Sequence, residues 1–237
     1  MASIVFLAAA ISSIAGFAFS AIAAPPLLLV IVDNVEAVQV LLVSSIALQT
    51  YSVISLWQHV SARSLIPYLW GGVLTLPLGL YLLLTTPLQL YLLICGLFLL
   101  AYSVYAFFRP SRIFLRAGTK GAGPILVGAL GGITGPIAAF PGAFITIWCS
   151  MLGWEKERQR GLYQPYILAM QVFALIGLWV IVPPSAGSIS LVQYALPAMI
   201  GAFLGLRIFN SLTTTAFNKI VCLFLFFAGA GLALKSL

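Results

Sequence analysis

Gly131–Gly142 reads GGITGPIAAFPG, inside an uncharged stretch, 121–154, that exceeds one ordinary membrane helix. Such a helix takes about 20 apolar residues. Proline removes a backbone donor and glycine lets the chain turn, so this stretch predicts helix, break, helix between Gly135 and Gly142. A second copy, AGFAFSAIAAPP (Ala15–Pro26), lies in another uncharged stretch, 1–32, with its break expected between Ser20 and Pro26. Laid together, Gly16 falls on Gly132 and Pro25 on Pro141. A break at membrane depth is tolerated only where protein buries it or where it lines a watery cavity.

Working outward, the chain has 237 residues, 62% hydrophobic and 6% charged. A soluble domain is roughly 25% charged. A water-soluble monomer is therefore excluded. Nucleic-acid binding is excluded too, because the 11 basic residues are scattered among apolar runs rather than clustered. The class left is an all-α polytopic membrane protein. The N-terminus has no basic region or cleavage motif and is not read as a signal peptide. Cys95, Cys149 and Cys222 are isolated, with no metal spacing, so no metal and no cofactor is expected. His59 reads as an interfacial polar residue.

Eight hydrophobic segments are expected, roughly 3–32, 36–60, 64–84, 88–108, 122–152, 160–182, 189–210 and 214–235. Turn chemistry at Thr85-Thr86-Pro87 and at Pro183–Gly187 separates neighbouring segments. The polar connector 109–121 divides the chain into a first repeat, 1–108, and a second, 122–237. Beyond the two breaks, IALQTYSVISLWQHV (Ile46–Val60) lies over LAMQVFALIGLWVIV (Leu168–Val182), pairing Gln49 with Gln171 and Trp57 with Trp179. IPYLWGGVLTL (Ile66–Leu76) lies over LPAMIGAFLGL (Leu196–Leu206), pairing Pro67 with Pro197 and Gly71 with Gly201. Internal repeats of this kind are common in secondary transporters.

Basic residues favour cytoplasmic loops. Eight simple crossings would spread them evenly. If the fifth segment enters and returns on one side, Arg63, Arg109, Arg112, Arg116, Lys120, Lys156, Arg158, Arg160, Arg207 and Lys219 share a face, against Lys235 alone. The fold expected is therefore two inverted repeats, each a re-entrant broken helix followed by three transmembrane helices.

The half-helices following the breaks should begin near Pro26 and Gly142. Their free N–H groups and positive dipole ends suit an anion. No carboxylate lies near either break in sequence. Polar partners are Ser20, Thr134 and Gly135 at the breaks, Ser45, Gln49 and Ser52 as a stripe on segment two, and Gln164 and Gln171 on one face of segment six. The Gln49 and Gln171 amides are candidate donors to an oxyanion, or else bonds between helices. Arg160 is read as pairing with Glu155 or Glu157, snorkelling to the interface, or drawing anions toward the cavity; Arg207 reads the same way. Asp33 and Glu36 read as a helix cap. Gly71, Gly72, Thr75 and Gly79, with Gly201 and Gly205, read as close-packing stripes.

The stretch GGITGPIAAFPGAFITIWCSMLGWEKERQRGLYQPYILAMQ resembles the second-repeat signature of the TauE/SafE sulfite exporter family: a Gly/Pro break, a Gly153-Trp154 turn and an arginine, Arg160, opening the next helix. GFAFSAIAAPPLLLVIVDNVEAVQVLLVSS resembles the first repeat, and Pro197, Gly201 and Gly205 fit the family's PxxxGxxxG. Ala21–Ala24 stands where many members have three glycines. The resemblance implies a permease for small sulfur-containing anions, such as sulfite or organosulfonates, in a bacterial or archaeal inner membrane.

The function expected is secondary transport of a small anion by alternating access, with a midplane site between the repeats. An enzyme is not expected, since the spans hold neither carboxylate nor histidine cluster, and no GxxxxGK[ST] occurs. The other reading is a non-transporting assembly or accessory protein. The residues leave open a coupled proton or sodium ion and a homodimer.

Overall fold

The computed structural model describes residues 1–28, 30–31, 34–85, scattered helical positions between 89 and 107, and 121–138, 141–181 and 193–235. Asp33, Cys95, the connector 109–120, Thr86-Pro87, Pro183–Gly187 and most of the fourth segment lie outside the described residues. All regular structure among the described residues is helical. The first half gives α1 (Ala2–Ala15), α2 (Phe19–Leu28), α3 (Asn34–Ser55), a short turn of helix at Trp57–His59, and α4 (Ala62–Thr85). The second gives α5 (Ala122–Ala138), α6 (Ala143–Met151), α7 (Lys156–Ile181), α8 (Ala195–Ser211) and α9 (Thr214–Lys235).

Among the described residues, four helices are long and apolar enough to cross a membrane: within α3, Val38–Ser55; within α4, Ala62–Leu82; α7; and within α9, Thr214–Gly231. The short ones explain the breaks. α2 has 10 residues and α6 has nine; at 1.5 Å per residue they run about 15 Å, half the hydrocarbon core. In the second half the return is explicit. A Cβ on Gly123, in the first turn of α5, would stand 2.8 Å from the Trp148 ring of α6. The later part of α6 thus lies back against the start of α5.

Both breaks differ from the sequence reading. Gly16 takes a left-handed backbone (φ 84°) and closes α1 by donating its N–H to Ser12 O at 2.6 Å. The chain turns at Gly16–Ala18 and is helical again from Phe19. Pro25 and Pro26 thus lie within α2, and Pro26 does not open the half-helix. Gly135 and Pro136 likewise lie inside α5, which runs on to Ala138. The reason is shared: a membrane helix can absorb proline, whereas a left-handed glycine is a true stop. Gly142 is placed as expected, as the N-cap of α6.

Packing between the halves is reciprocal. α4 lies on α5, and α1 lies on α8. At the first crossing a Cβ on Gly71 would fall on the Ile125 carbonyl, and one on Gly128 on the Tyr68 carbonyl. Thr75 Oγ1 donates to Ala129 O at 2.7 Å across the same contact. At the second, Gly201 meets the Phe6 carbonyl and Gly205 that of Ala10. The glycine stripes are close-packing surfaces, as read. α3 and α7 run antiparallel through the middle: Ser45 reaches Gln171, and His59 abuts Gly161. The described basic positions Arg63, Lys156, Arg158, Arg160, Arg207 and Lys219 consequently gather at the end where α4, α7 and α9 begin and α8 ends.

Candidate anion site at the helix breaks

The two breaks meet. A Cβ on Gly142 would stand 3.3 Å from the Phe17 Cβ and would press into the Ile167 side chain. One face of α7 spans both: Arg160, Tyr163, Gln164, Ile167 and Gln171 follow helical spacing. Tyr163 OH donates to Ala15 O at 2.6 Å, and its ring meets Phe17 edge-on at 6.3 Å. From α3, Gln49 Nε2 donates to Gly16 O at 3.2 Å. The last carbonyls of α1 are thereby satisfied by two neighbouring helices. Tyr166 OH donates to Gly128 O, in the middle of α5, at 2.6 Å.

Arg160 is the centre of this arrangement. It is fully buried. Nε and Nη2 donate to the Gln164 side-chain oxygen at 3.1 and 2.6 Å, with that amide oriented by this network. Its guanidinium lies 4.1 Å over the Phe209 ring centroid. A Cβ on Gly16 would be 2.9 Å from Nε and Nη2. The expectations of a Glu155 or Glu157 pair, or of snorkelling, are therefore corrected: Glu157 pairs with Lys156 at 3.4 Å, Glu155 is exposed, and the Arg160 side chain points inward. Lys156 Nζ donates to Phe209 O at 2.9 Å and lies over the same ring at 4.5 Å. Arg207 stacks over Phe203 and stays exposed.

Arg160 Nη1, Ser20 Oγ, Ser52 Oγ and Gln49 Oε1 are buried with no hydrogen-bond partner among the described residues. Buried polar atoms are almost always paired. Ser20 sits in the first turn of α2, just after the Gly16–Ala18 turn, and Ser52 one turn along α3 from Gln49; Gln171 Oε1, Tyr68 Oη and Trp148 Nε1 are orphaned in the same way at other places in the fold. Donors at the Gly16 turn suit an oxyanion. Thr134 donates to Gly131 O, one turn back in its own helix. Gly135 faces Pro141 across the second break. Gln171 Nε2 donates to Ser45 Oγ at 2.7 Å, and Gln49 is turned to Gly16, so the two glutamines do not present their amide nitrogens alike to one pocket.

Gly16, Phe17, Tyr163 and Phe209 carry more of the geometry than the sequence reading gave them. The spacing of Arg160, Gln164, Ile167 and Gln171 was the signal for one shared face. No sequence pattern announced that this face meets the end of α1.

No curated protein and no solved structure matches the chain. The family model described as sulfite exporter TauE/SafE matches residues 1–232, essentially the whole chain, and the protein belongs to that family of membrane transporters of sulfur-related anions.

Proposed function

We propose that the protein is a secondary transporter that carries a small sulfur oxyanion or sulfonate by alternating access, and that Arg160 is the charge that holds it. The observation that carries this reading is a fully buried guanidinium with one unpartnered nitrogen and, among the described residues, no carboxylate paired to it. A buried charge without a counter-charge costs several kcal/mol, and intramembrane ionisable residues are functional by default. An anion at the Gly16 turn offsets that cost. Ser20, Ser52 and the first N–H groups of α2 complete its hydrogen bonds, and Phe17 and Gly142 bring the second break against the first.

The reciprocal packing of α1 on α8 and of α5 on α4 supports two inverted repeats, with the basic end cytoplasmic in an inner membrane. Motion of one repeat against the other about the α3–α7 pair then alternates access. The test is uptake of radiolabelled sulfite into proteoliposomes of the purified full chain. Saturable uptake competed by sulfonates supports transport. Anion binding with no flux would leave a receptor and refute it.

A further inference from the structure

We infer that the site holds an anion bearing a single negative charge, so that sulfonates and bisulfite are taken and sulfate-like dianions are rejected; this rests on the anion site proposed at Arg160. The argument is charge balance in a dry place. Lys156, the other buried cation at this end among the described residues, is already compensated by Glu157 at 3.4 Å and by the Phe209 carbonyl at 2.9 Å. The side chains around the Gly16 turn, Phe17, Ser20, Gln49, Tyr163 and Gln164, are all uncharged.

The helix dipoles add little net charge. A lone helix N-terminus is worth roughly half a positive charge and a C-terminus half a negative one. Each break supplies one of each: α1 ends and α2 begins around Gly16–Ala18, and α5 ends at Ala138 before α6 begins after Gly142. To first order they cancel, leaving, among the described residues, the single guanidinium. One negative charge neutralises the site. A second would stay desolvated without a partner, which proteins avoid. Gln49 Oε1, a buried acceptor with no donor, adds to the penalty on further negative charge.

Isothermal titration of the full chain in detergent, at one pH near neutrality, tests this with four probes. Methanesulfonate carries one charge, dimethyl sulfone none, and sulfate and ethanedisulfonate two. Methanesulfonate should bind, dimethyl sulfone should give no heat, and both dianions should bind about tenfold more weakly or worse. Dianions that bind as tightly as methanesulfonate would overturn the single-charge rule and leave the anion site standing. Failure of methanesulfonate, sulfate and ethanedisulfonate alike would overturn the anion site itself.

Discussion

Arg160 of α7 lies against Gly16 at the end of α1, so close that a Cβ on the glycine would stand 2.9 Å from two of its nitrogens. The buried charge and the helix break thus form one feature. Gly16 is needed there twice, for its left-handed backbone and for the space it leaves.

Gly16→Ala therefore meets two penalties. The left-handed backbone costs roughly 1–2 kcal/mol for a residue with a Cβ, and the methyl must displace the guanidinium. The melting temperature should fall and stabilisation by sulfite should vanish. Gly121→Ala is the control: it carries the same strain (φ 99°) with nothing within 4 Å, and should lose some stability while keeping the sulfite response.

The two glutamines separate by readout. Gln49→Leu leaves the Gly16 carbonyl without its donor at the proposed site. Gln171→Leu strands Ser45, between α3 and α7. Each should cost on the order of 1–3 kcal/mol in stability. Sulfite affinity should drop clearly only for Gln49→Leu, as titration of the folded variants would show. Equal loss in both would restore a symmetric role for the pair.

The glycine crossings hold the halves together. Gly71→Ala and Gly201→Ala each push a methyl onto a facing carbonyl and should cost roughly 1–3 kcal/mol. The two sites share no partner, so the double variant should add within about 0.5 kcal/mol in denaturant melts. Gly231→Ala, with nothing within 4 Å, should be silent.

Sidedness follows from the gathered basic positions and from Trp148 standing over Gly123. Single cysteines introduced at positions 118 and 156, in a chain cleared of its native cysteines, should label from the same, cytoplasmic, face. One at 235 should label from the other. Labelling of 118 and 156 from opposite faces would contradict the re-entrant pair.

Much of the architecture was legible because apolar length and turn chemistry are local. α3, α4 and α9 open and close close to their expected bounds, and the glycine stripes meet as their spacing implied. The first break was misplaced because Pro25 and Pro26 look like stops. They sit within α2, while the solitary Gly16 ends α1 through its backbone sign. Arg160 was misjudged for a related reason. Its sequence neighbours Glu155 and Glu157 suggest a surface pair, but the helix turns the arginine inward and leaves Glu157 to Lys156. Contacts over long separations, Tyr163 to Ala15 above all, have no local signature.

The most direct test is sulfite titration of Arg160→Gln beside the unaltered protein. Removing an unpaired buried charge relieves its desolvation, so the ligand-free variant should melt no lower. Losing one partner of a desolvated charge pair costs roughly 2–5 kcal/mol, so affinity should fall about 30-fold or more. Arg160→Lys should fall between, keeping the charge without the planar fork. A folded Arg160→Gln protein that bound sulfite with unaltered affinity would contradict the account.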